Sequence, residues 1–168
     1  MQYIFSVLMM LSLNACAMND MQSSAMEKNM TDGMIHVESQ FSVKQTADRL
    51  QTLLSKKGMK IFNRLNHANG AKGVGVELNP MELIIFGNPK VGSPLMQCAQ
   101  SIALDLPQKA LIWQDEAGKV WLSYNDPDYL KQRHNVKGCD KNFAKITKAL
   151  AGLTKAAAQD DLIIQMGM

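Results

Sequence analysis

The sequence predicts an α+β domain in which helices pack on one side of a mainly antiparallel sheet, and three observations carry that expectation. Leu83, Ile84, Ile85 and Phe86 form an unbroken apolar run of strand length. Residues 110–113 and 120–124 flank a glycine-bearing turn at 115–119, the pattern of an antiparallel hairpin. Two stretches opening at Ser42 and Asp140 place apolar residues at helical spacing along one face each, so both need a sheet to cover.

The 168 residues suffice for one domain with a real core. A formal charge of +3, spread over scattered lysines, argues against a nucleic-acid partner and permits only a weak preference for anions. Residues 3–13 are uncharged and mostly apolar, too short to span a bilayer comfortably but right for a signal-peptide core. Leu13-Asn14-Ala15-Cys16 then has the form of a bacterial lipoprotein processing site, with Cys16 as the lipidated residue. The expected address is the cell envelope, anchored by lipid, at the outer membrane facing the periplasm if the source is Gram-negative. Met1 and Gln2 supply no positive charge, so either the signal is weak or the true start lies upstream. The competing reading of this run is an apolar strand or a buried helix.

The expected organisation is a signal peptide at 1–15, a tether at 16–32, the folded domain at 33–158 and a tail at 159–168. The tether is rich in Met, Ser, Asn and Asp, as a disordered linker would be. Met18, Met21, Met26, Met30 and Met34 recur every three to five residues, and thioethers are soft ligands suited to Cu(I). The alternative is a linker that is merely biased toward methionine. Export would leave Cys98 and Cys139 in the folded domain in an oxidising compartment. With their relative placement unknown, the sequence favours two separate thiols over a disulfide.

Within the domain, residues 34–41 alternate as a first strand with Ile35, Val37 and Phe41 inward. Ser42 and Gln45 form a capping box, and Val43, Ala47, Leu50, Leu53 and Leu54 line one stripe of the helix that follows. Lys56, Lys57 and Gly58 end it. Residues 59–66 return as a strand. Strict alternation sets Met59, Ile61 and Leu65 on one face, with Lys60, Phe62, Arg64 and Asn66 on the other, and projects His67 toward the Met59 side near the core margin. There a histidine serves either as a ligand or acid-base group, or as a hydrogen-bonded cap for the next turn. Residues 68–76 read as a short helix or loop.

The apolar run at 83–86 asks for burial on both faces, hence an interior strand. Gly87 ends it, Asn88-Pro89 turns the chain, and Ser93-Pro94 reads as an N-cap with proline at the first helical position. A loop from Gly87 to Ser93 before a helix N-terminus, carrying Lys90, is either a rigid connector or an anion site. Its likeness to a nucleotide-binding P-loop is partial, because Ser93-Pro94 stands where that motif needs Lys and then Ser or Thr. Trp113, Trp121 and Tyr124 cluster on the hairpin as core filling or as the wall of a pocket. A short helix follows Asn125-Asp126 and ends at Arg133-His134, a cationic pair that Asp126 or Asp128 can answer. The last helix carries Phe143, Ile146, Leu150, Leu153 and Ala157 on its stripe.

Taken in order, several motifs resemble the bacterial family called domain of unknown function 302. They are Asn66-His67, the run from Leu83 through Phe86 with Gly87-Asn88-Pro89-Lys90, Leu104-Asp105-Leu106-Pro107, Val120-Trp121-Leu122-Ser123-Tyr124-Asn125-Asp126-Pro127, and Arg133-His134. The resemblance spans about residues 34–157. It implies a compact β-α-β-β-β-β-α domain with a curved sheet, of the TATA-binding-protein-like class, self-associating as a homodimer and tied to no particular activity. The class name carries no DNA binding with it. Ser93 stands where the family more often has Thr, and Gln108 where it has an apolar residue, which points to a less buried start of that strand.

The function expected from these readings is an envelope module that binds a small ligand or a partner, with no cofactor, because no nucleophile and base stand together in the sequence. The expected site gathers His67, Asn88, Lys90, Ser93, Asn125, Asp126, Arg133 and His134 on one rim of the sheet, walled by the aromatic cluster, for a small anionic ligand. An enzyme using His67 or His134, and a soft-metal buffer using the tether methionines, are the alternatives.

Overall fold

The computed structural model describes residues 33–160. Cys16, Met18, Met21, Met26 and Met30 lie outside them. Strand β1 (Met34–Ser39) is followed by α1 (Val43–Lys56), β2 (Lys60–Asn66), α2 (His67–Lys72), β3 (Met81–Gly87) and α3 (Pro89–Cys98). A 3₁₀ turn (Gln100–Leu104) leads to β4 (Gln108–Gln114), β5 (Val120–Asn125), α4 (Pro127–Arg133) and α5 (Asp140–Ala158). The α+β expectation is confirmed: the strands form one antiparallel sheet in the order β1-β5-β4-β3-β2.

Helix α1 starts where local chemistry dictates. Ser42 accepts from the Gln45 backbone N–H while the Gln45 side chain accepts from the Ser42 N–H, closing the predicted capping box. Its stripe of Val43, Ala47, Leu50 and Leu54 is buried against Ile84, Phe86, Ile112 and Leu122 of the sheet, together with Leu150, Leu153 and Ala157 of α5. At the entry to β1, Gly33 adopts φ +69 beneath the Tyr129 ring, which stands 2.5 Å from where a Cβ would be. Only glycine fits that approach.

Four local expectations need correction. Strand β3 is interior, with β2 and β4 as neighbours, but only Glu82, Ile84 and Phe86 are buried. Leu83 and Ile85 keep partial exposure on the face opposite α1, as do Trp113 and Trp121. The two tryptophans are directly opposed in the hairpin, and their N–H groups donate to Ser123 and Asp115 respectively, whereas Tyr124 alone of the three aromatic residues enters the core.

In β2 the alternation breaks. The register shifts between Ile61 and Asn63, where the Asn63 side chain accepts from the Arg64 backbone N–H. Beyond this bulge Arg64 turns inward, donating to Glu82 and to Asp48 at 2.6 Å each, and Leu65 turns outward. The nearly buried Glu82 carboxylate needs such a partner.

Helix α3 begins at Pro89 rather than at Pro94. Asn88 is its N-cap, and its side chain accepts from the Lys90 N–H. Pro94 therefore lies inside the helix.

Candidate functional site

Helix α3, the 3₁₀ turn and α4 are short and cannot fill the space beneath them as α1 does. Leu95, Ile102, Leu130, Val136 and Phe143 form a second apolar cluster there, beside the one under the sheet. Cys98 at the end of α3 and Cys139 at the start of α5 are joined in a disulfide with Cα atoms 6.6 Å apart, which corrects the expectation of separate thiols. Between the two clusters lies a cavity of about 380 Å³.

Its wall is almost wholly apolar, with Phe86, Leu95, Leu106, Phe143 and Leu150 inside and Phe62 and Val91, both partly exposed, near the outside. Asn88, Ser93, Gln108 and Lys145 add polar groups, and Lys145 is the charged member among the described lining residues. Gln108 Oε1 is buried without a hydrogen-bond partner. A buried amide oxygen in that state carries a desolvation cost of about 1–3 kcal/mol until something donates to it.

The residues expected to share one site are distributed as follows. Asn88 and Ser93 line the cavity, the first through its cap position and the second from within α3. Lys90 sits in the first turn of α3 and is exposed, and its N–H is already taken by Asn88. The expected anion loop is thus a capped helix. Asn125 pairs with Met34 across the β5–β1 ladder, and Asp126 caps α4 by accepting from the Asp128 N–H. Met34, the one described methionine of the tether series, is part of β1.

His67 is exposed at the start of α2, beyond the end of β2 that pairs with Glu82. Lys90 follows the other end of β3, which pairs with Lys60. A strand of this length separates them by roughly 20 Å. The composite of His67 with Lys90 and His134 therefore does not assemble, and the bulge explains why strict alternation misplaced His67.

His134 is engaged elsewhere. Its Nε2 lies 2.6 Å from Asp105 Oδ2 and its Nδ1 lies 3.1 Å from Ser101 Oγ. Arg133 also answers Asp105, at 3.4 Å, so the partner of the cationic pair is Asp105 and not Asp126 or Asp128. Ser101 and Asp105 were missed by sequence reasoning. Asp105 had a signal in the Leu104-Asp105-Leu106-Pro107 motif, and Gln108 had one in its departure from the family pattern; Ser101 had none.

A fold with one antiparallel sheet, helices on one face and a cavity under short helices defines a class of small α+β domains. The chain belongs to the family described as Domain of unknown function DUF302, whose model matches residues 35–153. It is similar to "Fluoride-specific ion channel FluC 1" of Brucella suis biovar 1, 45% identical over 129 residues that make up 76% of this chain and 51% of that protein. "Fluoride-specific ion channel FluC 2" of Brucella melitensis biotype 1 is likewise 45% identical over 129 residues, 76% of this chain and 48% of that protein. The chain spans about half the length of the curated relatives it matches. Among solved structures, an uncharacterized conserved DUF302 protein from Bacillus stearothermophilus superposes with a TM-score of 0.69 at 18% identity, covering 77% of this chain and 100% of that one. At that identity the likeness speaks for the fold.

Proposed function

We propose that this domain binds one small amphiphilic molecule in the cavity between its two apolar clusters. The observation that carries the reading is an apolar space of about 380 Å³ with Lys145 as the charged residue of its described lining. At roughly 30 Å³ per non-hydrogen atom the space suits a ligand of about a dozen such atoms. An anionic end of the ligand would lie toward Lys145, which keeps the expected small anionic ligand but moves it from the Lys90 loop to the cavity. Decanoate and decanol are suitable probes in calorimetric titrations. Saturable binding that Gly92→Leu weakens at least tenfold supports the reading; binding that this variant leaves unchanged overturns it.

We also infer that the domain works outside the cytoplasm, tethered through Cys16. The signal-like run, the Cys98–Cys139 bond, which suits an oxidising compartment, and relatives in which a similar segment shares a chain with a named ion channel support this address. Among the described residues no helix is long and apolar enough to cross a membrane. In this reading channel activity belongs to the half of those relatives that the present chain does not match. Metabolic labelling with a palmitate analogue that Cys16→Ala abolishes is the expected result, and an unlabelled, unprocessed native product would exclude it.

A further inference from the structure

We propose that Ser101, His134 and Asp105 form a nucleophilic acyl-transfer site for small esters, distinct from the cavity. The 3₁₀ turn separates the two. Ile102 and Leu106 line the cavity, while Ser101 is exposed on the turn and Asp105, half-buried, faces His134. Residues three apart eclipse one another in a 3₁₀ helix, so Leu104 stands beside Ser101 on the outer face. Leu104 is 74% exposed, an apolar surface next to the hydroxyl where a short acyl group can rest.

One tautomer of His134 aligns both contacts for general-base activation. His134 follows the last turn of α4, where its backbone N–H donates to Leu130 O, and its side chain is only 6% exposed. With ionised Asp105 accepting at Nε2, that nitrogen carries the ring proton. Nδ1 is then an acceptor aimed at the Ser101 hydroxyl at 3.1 Å. The His134–Asp105 and Arg133–Asp105 contacts already lock α4 to the 3₁₀ turn. The exposed hydroxyl, the largely buried imidazole and the shielded carboxylate add the ordered relay of a serine nucleophile.

In the reaction, Ser101 Oγ bonds to the ester carbonyl carbon as its proton passes to His134 Nδ1, and Asp105 stabilises the resulting imidazolium. The C–O bond to the alcohol breaks, and the departing oxygen takes the proton from His134. Water then attacks the acyl-serine with His134 as base, releasing the carboxylic acid and restoring the hydroxyl. Ser101 and His134 are the catalytic residues, and Asp105 is a positioning residue.

The test uses the full chain with p-nitrophenyl acetate and a fluorophosphonate probe. We expect one equivalent of fluorophosphonate on the peptide containing Ser101, together with ester hydrolysis above the buffer rate. Ser101→Ala, at an exposed position, should keep the fold by circular dichroism and lose both signals. Asp105→Asn should slow labelling by about 100-fold or more, since it allows the wrong ring tautomer, and Asp105→Glu should recover part of that rate. An unlabelled Ser101, or equal hydrolysis by wild type and Ser101→Ala, overturns the proposal.

Discussion

Between the sheet and α1, Leu50, Leu54, Ile84, Ile112 and Leu122 retain no exposed surface, whereas Leu95, Leu130 and Phe143 under α3 and α4 border a cavity of about 380 Å³. The first region is made by a 14-residue helix and a 19-residue helix lying on five strands. The second is made by a 7-residue helix, a 5-residue 3₁₀ turn and a 10-residue helix with a proline inside it. Long regular elements present continuous stripes that interdigitate, while short ones leave space and here are fastened by a covalent bond. The difference separates a part that holds the fold from a part that can receive something.

Truncation should expose that contrast most strongly. Leu50→Ala removes a side chain surrounded on all sides and should cost about 3–5 kcal/mol in urea denaturation. Leu130→Ala removes one that already faces a void and so has fewer contacts to lose, for an expected cost of about 2–3 kcal/mol. Equal losses would mean that the cavity is closed in solution.

The disulfide comes next. It closes a 41-residue separation, and its removal by Cys98→Ala with Cys139→Ala should cost about 2–4 kcal/mol. Amide hydrogen exchange should quicken in α3 and the 3₁₀ turn and stay unchanged in α1, because the bond spans only the loosely filled region. Uniform acceleration would show that the two regions unfold as one unit.

A smaller and opposite effect is expected from filling the cavity. A Cβ on Gly92 would meet only Leu106 Cδ1, at 3.8 Å, so Gly92→Leu has room to project into the space. Replacing a helical glycine should stabilise the domain by up to about 1 kcal/mol in thermal denaturation while displacing the ligand. Destabilisation would indicate that the cavity is narrower than described.

How far the sequence revealed this contrast depends on the reach of each interaction. The Ser42–Gln45 capping box, the α1 and α5 stripes and the hairpin were legible because every partner lies within a turn or a strand of its neighbour. The β2 bulge was not, since it follows from the Asn63 side chain and from Glu82, a residue on the next strand that draws Arg64 inward. At α3 two Pro-containing starts competed in one stretch. Asn88-Pro89 supplies the side-chain cap that begins the helix, and Ser93-Pro94 does not. The aromatic cluster misled because two residues directly opposed across a hairpin share a face, and periodicity does not say which face the helices cover. His134 meets Ser101 and Asp105 across separations of 33 and 29 residues, and the cavity depends on how two clusters fail to meet. Spacing along the chain reveals neither, although the family motifs marked Asp105 and Gln108.

The smallest expected effect belongs to the well-filled region and concerns charge. Asp48 on α1 receives hydrogen bonds from Lys44 and from Arg64, in that order of influence, and both hold its carboxyl below the usual carboxylate range. A lowered folded value means that the stabilisation is fully present above the unfolded value near pH 4 and is lost as pH falls through the folded one. Asp48 is about half exposed, so water screens the pair and the contribution should not exceed about 1 kcal/mol. Wild-type stability, followed by urea midpoint from pH 5 down to pH 2, should therefore fall more steeply than that of Asp48→Asn. The residual slope of the variant should include Asp115, whose carboxyl is lowered by the Trp121 N–H and which acts with the same sign. Parallel slopes for wild type and variant would show that Arg64 is satisfied by Glu82 alone, leaving Asp48 outside the interactions that hold α1 to the sheet.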